Sequence, residues 1–76
     1  MRNNIPSREM INFYKAQFPK GTRVELVSMN DPYNKKLKPG DQGTVITVDD
    51  IGTVHVDWDC GSSLGVVLGE DCIKKL

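Results

Sequence analysis

The chain has 76 residues, the length of one small domain, and a domain of this length buries only about 60% of its unfolded surface. Its 10 lysines and arginines balance its 10 aspartates and glutamates, which excludes a strong overall field toward nucleic acid or an anionic membrane. Two cysteines are too few for a disulfide scaffold, and no apolar run reaches the length of a signal peptide or membrane span. We therefore expect a cytoplasmic protein with reduced thiols and no membrane partner.

The first predicted element is a helix over about 7–17, within an N-terminal helical segment 7–18 that follows a flexible stretch, 1–6. Ser7 is a suitable N-cap, and Glu9 lies in the first turn, where the helix dipole favours a negative charge. Pro19 ends the helix, because the residue before a proline avoids the helical region. We expect the apolar helix face to cover an open end of the following sheet, or else to form a homodimer contact. This face comprises Met10, Phe13 and Tyr14.

After Gly21 the hydrophobic period changes from helical to alternating, and the segment 19–76 is predicted to be a β domain. The first predicted strand is 22–27, followed by a long loop that contains two prolines. The second predicted strand is 43–48. Val45 and Val48 cannot share one face of that strand without an extra residue, so we expect a β-bulge or a sharp bend there.

A hairpin turn at 49–52 is predicted to lead into the clearest strand, Thr53–Trp58, which is followed by a turn at 59–61. A short fourth strand over 62–66, one helical turn at 68–71 and a last strand at 72–76 complete the chain. Five short strands with these connections predict a mainly β fold. The specific prediction is a small, closed five-stranded barrel, like that of Src-homology-3 domains, preceded by one N-terminal α-helix.

An ordered set of segments resembles the family described as domain of unknown function 4314. Among them are Pro-Lys-Gly-Thr-Arg-Val-Glu-Leu-Val (19–27) and Val-Asp-Asp-Ile-Gly-Thr-Val-His-Val-Asp-Trp-Asp (48–59); the others are 29–33, 39–40, 43–45, 61–64 and 75–76. The resemblance covers about 18–76. It implies a small barrel, a setting in Gram-positive bacteria and their phages, and no enzymatic activity. The family is similar to small barrels with a Trp-Asp-Asn-Gly turn, including one shared by Mind bomb and HERC-type ubiquitin ligases, but Cys60 replaces that asparagine here.

Two aromatic residues are the first candidates for a binding site, Tyr33 in the long loop and Trp58 at the end of the third predicted strand. In barrels of this kind the ligand groove lies between the long first loop and the hairpin after the second strand. Aromatic rings there would provide large, rigid contact areas. The alternative for Trp58 is a core position, because it shares a strand face with Val54 and Val56. The first hypothesis is a non-enzymatic adaptor that binds a protein or peptide in this groove.

A few polar side chains are candidates for chemistry. Asp57 and Asp59 flank Trp58 and could act as an acid–base pair or hold a cation, but no nucleophile, base and oxyanion donor converge on them. The alternative is a solvated acidic edge, so no catalytic residue is predicted. The only histidine, His55, and the two cysteines fit no metal-ligand spacing, so we expect no metal and no cofactor.

Two further hypotheses remain open. One is an oligomeric phage protein that sequesters a nucleotide signal or blocks a host defence complex, with Arg23 or the loop lysines at the phosphate. The other is nucleic-acid binding, which the small number of arginines and the absence of an aromatic row disfavour. The loop lysines are Lys35, Lys36 and Lys38. Ser62, within the family-like segment 61–64, completes the candidate binding residues.

Overall fold

A computed structural model of the protein describes residues 7–30 and 36–76. The predicted flexible segment 1–6 lies outside these residues. The elements in chain order are α1 (Arg8–Gln17), β1 (Arg23–Ser28), β2 (Gln42–Val48), β3 (Thr53–Trp58), β4 (Gly65–Val67) and β5 (Cys72–Lys75). All neighbouring strands are antiparallel, and they form one sheet in the order β4-β3-β2-β1-β5. The prediction of a mainly β fold with five strands and one N-terminal helix is confirmed.

The sheet is barrel-like but not closed, so the prediction of a closed barrel is wrong in this respect. β4 and β5 are the two edge strands of the sheet. The reason lies at Val67, the last residue of β4, whose backbone groups are bonded within the turn that leads to β5. Its carbonyl oxygen accepts from the backbone N–H groups of Glu70 and Asp71, at 3.0 and 2.8 Å. Its own N–H donates to the Asp71 carboxylate at 3.0 Å, so no group of Val67 is left for a ladder to β5.

The helix is capped as the sequence predicts, but of the expected covering face only Tyr14 packs against the core. The Ser7 hydroxyl accepts from the Met10 backbone N–H at 3.2 Å. The buried helical residue is Ile11, and the side chains that pack against the core from this segment are Tyr14 and Phe18. Met10 and Phe13 remain 42% and 54% exposed. The expected covering face is therefore wrong for these two residues, because the helix is rotated by about one residue toward Ile11.

The predicted bulge in β2 is confirmed. Val45 lies opposite Val56 of β3, but Thr47 lies opposite His55, so Ile46 is an extra residue on β2. The bulge lets Val45 and Val48 both point into the core, whereas Ile46 is 47% exposed. A second bulge occurs in β1, where Leu26 and Ser28 face consecutive residues of β5 and Val27 is the extra residue.

The core consists of inward-facing residues from all five strands together with Leu37, which reaches it from the long loop. The strand contributions are Val24, Leu26, Val45, Val48, Val54, Val56, Trp58, Val66 and Ile73. Leu37 is flanked by lysines in the sequence and was not predicted as a core residue. Its burial shows that the end of the long loop folds back over the sheet.

The predicted turns at 49–52 and 59–61 are confirmed by backbone hydrogen bonds that close each of them. The predicted helical turn at 68–71 is wrong. Gly69 has a φ of +104°, which a right-handed helical turn does not contain, and the segment is a tight turn. Among the residues that the structure describes, no helix is long and apolar enough to cross a membrane.

Candidate binding cleft

Trp58 is a core residue and not part of a surface groove. Only 1% of its surface is exposed, and its indole N–H donates to the Leu64 carbonyl oxygen at 3.0 Å. The apolar ring is therefore buried, and its single polar atom already has a hydrogen-bond partner. The core alternative for Trp58 is therefore correct, and the ring is not exposed at a surface groove. Tyr33 and Lys35 lie outside the residues that the structure describes.

Ser62 serves the turn between β3 and β4. Its hydroxyl accepts from the Leu64 backbone N–H at 3.2 Å, and its carbonyl oxygen accepts from the Trp58 backbone N–H at 3.1 Å. The side chain is half-buried. These contacts position the carbonyl of Leu64 for the indole of Trp58, and they give Ser62 a structural role.

Arg23 and Asp59 form a two-point ion pair on the outer face of the sheet. The two Arg23 terminal nitrogens lie 3.0 and 2.7 Å from the two Asp59 carboxylate oxygens, and Arg23 also donates to the Thr44 hydroxyl at 2.9 Å. The hydrogen bonds between the pair raise the pKa of Arg23 and lower the pKa of Asp59. Arg23 is therefore already engaged at the atoms that would bind a phosphate. Asp59 uses both oxygens on Arg23, which leaves Asp57 as a separate exposed carboxylate on β3.

His55 and Asp49 fasten the hairpin between β2 and β3. His55 Nε2 lies 2.8 Å from one Asp49 oxygen, and the other oxygen accepts from the backbone N–H groups of Thr53 and Ile51, at 2.9 and 3.1 Å. Burial acts to raise the pKa of Asp49, but the hydrogen bonds from His55, Thr53 and Ile51 outweigh it and the pKa is lowered. Within 7–30 and 36–76, no three His, Cys, Asp or Glu side chains converge as metal ligands would.

The sequence did not predict the cleft that the structure shows between the C-terminal end of α1 and the bulged part of β2. Its volume is about 280 Å³. The residues that line it are Lys15, Phe18, Pro19, Lys20, Ile46, Thr47 and Val48. We call this feature the α1–β2 cleft.

The cleft exists because β2 continues past the point where its neighbour β1 begins. The last residue of β2 bonded on that side is Val45, whose N–H donates to the Thr22 carbonyl and whose carbonyl accepts from Gly21, both at 2.8 Å. The chain N-terminal to Gly21 belongs to the turn that follows α1, so the segment 46–48 has β3 on one side and the cleft on the other. Gly21 has a φ of +93°, a backbone conformation that glycine adopts readily.

The chemistry of the cleft combines an apolar floor with positive charge. Phe18, Pro19 and the exposed Ile46 provide the apolar surface. The ammonium group of Lys15 lies 3.2 Å from the Asp50 carboxylate, and Lys20 is exposed. The ammonium group of Lys75 lies 6.0 Å from the centroid of the Phe18 ring, which adds a third positive charge near the cleft. The predicted bulge at Val45–Val48 was the sequence signal closest to this site, but it did not reveal the neighbouring helix end.

The family comparison agrees with this architecture. The model of the family described as Domain of unknown function (DUF4314) matches residues 7–76, and the chain belongs to this family. The match confirms the resemblance drawn from the sequence. No curated protein matches the chain. Membership therefore brings no assigned reaction or partner, and the function has to be argued from the site.

Proposed function

We propose that this member of the DUF4314 family is a non-enzymatic binding domain that takes a protein or peptide partner in the α1–β2 cleft. The observation that carries the proposal is that an apolar floor lies beside a stretch of β2 that has no strand on the side opposite β3. This site replaces the groove predicted at Tyr33 and Trp58, because Trp58 is buried.

The shape of the cleft favours an extended polypeptide over a small molecule. Its volume of about 280 Å³ lies just below the range of roughly 300–1,000 Å³ that is typical of small-molecule pockets. It lies along a strand and the end of a helix, so a partner segment could place a few side chains in it while the remainder stays in solvent. Exposed Ile46 would be covered by such a segment, and covering apolar surface favours binding.

The non-enzymatic part of the proposal rests on how the polar groups are used. The described residues that line the cleft include no acid, histidine or thiol. Elsewhere on the described surface, Arg23 is paired with Asp59 and His55 with Asp49, so these groups hold the fold together. Binding by shape, charge and backbone contacts is the function that this arrangement supports best.

We propose the bacterial cytoplasm as the compartment, and a Gram-positive bacterium or one of its phages as the source that the family resemblance implies. Cys60 and Cys72 are both exposed and unpaired, as thiols remain in a reducing environment. The genes that neighbour the coding sequence would test the phage setting, since a position among phage structural or regulatory genes supports it.

The proposed function can be tested with a displayed library of random peptides selected against the whole domain. Bound peptides are expected to shift the backbone amide signals of 15–20 and 46–48 in nuclear magnetic resonance spectra. Ile46→Ser should weaken this binding. Val27→Ser is the matched control, because Val27 is also the extra residue of a bulge and is 44% exposed, against 47% for Ile46.

The proposal fails if the library yields no binder, or if the selected peptides shift signals only outside the cleft. It also fails if both serine variants weaken binding equally, because a general loss of strand stability would then explain the result.

A further inference from the structure

The backbone of β2 has hydrogen-bonding groups that point into the cleft. In an antiparallel ladder, pairs of residues that exchange hydrogen bonds alternate with pairs that do not. The Asp49 N–H donates to the Thr53 carbonyl at 3.0 Å, so the adjoining pair, Val48 and Val54, is of the other kind. The N–H and carbonyl groups of Val48 therefore point away from β3, toward the α1–β2 cleft. No other described backbone group bonds to them.

The other free edges of the sheet are protected in part. On β4, the backbone groups of Val67 are bonded by the following turn, including the Asp71 carboxylate. On β5, Lys74 and Lys75 are exposed, and lysine on an edge strand opposes the addition of another strand. The edge at 46–48 has neither form of protection, and it borders a cleft with an apolar floor.

The charges around the cleft indicate the chemistry of a partner segment that could pair with this edge of β2. Lys15 and Lys20 line the cleft, and Lys75 lies near the Phe18 ring. Among the described residues, the carboxylate in contact with Lys15 is that of Asp50, which is almost fully exposed and makes this contact through a single oxygen. A partner segment with carboxylates could replace that contact and reach Lys20 as well.

From these observations we propose that the cleft accepts an extended, acidic segment of a partner protein, which pairs as an added strand with β2 at 46–48. The inference rests on the proposed binding function and specifies its mode. Alternate side chains of the segment would meet Phe18 and Ile46, and the intervening acidic side chains would lie near the lysines.

Three synthetic octapeptides of alternating sequence test this inference on the intact, isotope-labelled chain. The first alternates valine and glutamate, the second alternates valine and lysine, and the third is the valine–glutamate peptide with every backbone nitrogen methylated. Methylation retains the side chains but removes the N–H groups that an added strand needs. The readouts are amide shifts at the cleft and the hydrogen-exchange rate of the Val48 amide.

The acidic peptide is expected to bind at the cleft and to slow exchange at Val48. The lysine peptide and the methylated peptide should bind at least tenfold more weakly. Lys20→Gln should weaken binding of the acidic peptide by up to about fivefold, the value of one exposed ion pair. Lys38→Gln is the control, because Lys38 is an exposed lysine outside the residues that line the cleft.

Equal binding of the acidic and methylated peptides at the cleft would overturn strand addition and leave the proposed binding function intact. Equal binding of the acidic and lysine peptides would overturn the acidic partner. If exchange at the Val48 amide becomes slower as the protein concentration increases, without any peptide, the occupant is a second copy of the chain. This result would also overturn the acidic partner. If none of the peptides binds while the library selection yields cleft binders, strand addition by an acidic segment is wrong and the binding function stands.

Discussion

Gly43 of β2 and Trp58 of β3 lie opposite each other, so close that a Cβ atom on Gly43 would lie 2.9 Å from the Trp58 ring. The same atom would lie 2.6 Å from a Val56 methyl group and 2.9 Å from the Asp57 carbonyl oxygen. One of these neighbours is backbone, which cannot move aside easily. The core of the sheet therefore requires the absence of a side chain at Gly43 as much as the presence of the indole.

Gly43→Ala is expected to lower the free energy of unfolding by about 1–3 kcal/mol, the usual cost of overpacking a core. For a domain of this size each kcal/mol corresponds to a fall in Tm of about 4–8 °C. Thermal unfolding followed by circular dichroism measures the change. Gln42→Ala, at an exposed position of the same strand, should change stability by no more than about 0.5 kcal/mol. Similar Tm values for both variants would show that the strands separate to accept the methyl group.

The helix buries Ile11 and leaves its neighbour Met10 largely exposed. Ile11→Ala removes a buried side chain and is expected to cost about 2–4 kcal/mol of stability. Met10→Ala removes a largely exposed side chain and should cost less than about 1 kcal/mol. Urea denaturation at one protein concentration distinguishes the two variants. A larger loss for Met10→Ala would mean that the Met10 and Phe13 face is buried in solution, for example in a homodimer.

The buried position of Trp58 has a direct spectroscopic consequence. Because the chain has one tryptophan, tryptophan fluorescence excited at the red edge of the absorption band, where the two tyrosines do not absorb, reports this residue alone. Acrylamide should quench the folded protein weakly and the urea-unfolded protein strongly. Trp58→Phe should in addition lower stability by about 1–3 kcal/mol, because the Leu64 carbonyl would lose its indole partner. Strong quenching of the folded protein would place the ring in a surface groove after all.

Two carboxylates should titrate below the ordinary range for separate reasons, which allows each to serve as the control for the other. His55→Gln is expected to raise the pKa of Asp49 toward its usual value and to leave the pKa of Asp59 unchanged. Arg23→Gln should raise the pKa of Asp59 toward its usual value and leave the pKa of Asp49 unchanged. Carbon-detected nuclear magnetic resonance across acidic pH measures both. If each substitution moves both carboxylates, the two pairs are coupled through the sheet and are not independent.

The sign of the accompanying pH effect follows from the lowered pKa values. A carboxyl group whose pKa is lower in the folded state stabilises the fold above its unfolded pKa, which is about 3.9 for aspartate. That contribution is lost as the pH falls through the folded-state pKa. The free energy of unfolding of the natural chain should therefore decrease below about pH 4 more steeply than that of Asp49→Asn, which no longer titrates at this position.

Local signals in the sequence predicted much of this fold. The Ser7 cap, the alternation in Thr53–Trp58 and the bulge required by Val45 and Val48 each depend on a few neighbouring residues. The alternation also placed Trp58 on the face of Val54 and Val56, and that face is the core. The surface groove at Trp58 was expected from the general architecture of small barrels and not from this alternation, and the ring is buried instead.

The binding cleft could not be predicted in the same way. It depends on where the chain before β1 stops pairing with β2, at Gly21 and Thr22, and on how the helix lies against the sheet. The rotation of the helix toward Ile11 and the burial of Leu37 depend on packing between segments far apart in the sequence. Closure of the sheet was likewise decided by the hydrogen bonds of Val67 with its own turn.

Asp71 joins parts of the molecule that no strand pairing connects. Its two carboxylate oxygens accept from the backbone N–H groups of Asn30, after β1, and Val67, at the end of β4, at 2.8 and 3.0 Å. This one side chain therefore links the two sides of the open seam between β4 and β5. The seam is the place where thermal fluctuations should part the structure first, well before the interior strands β2 and β3 separate from each other.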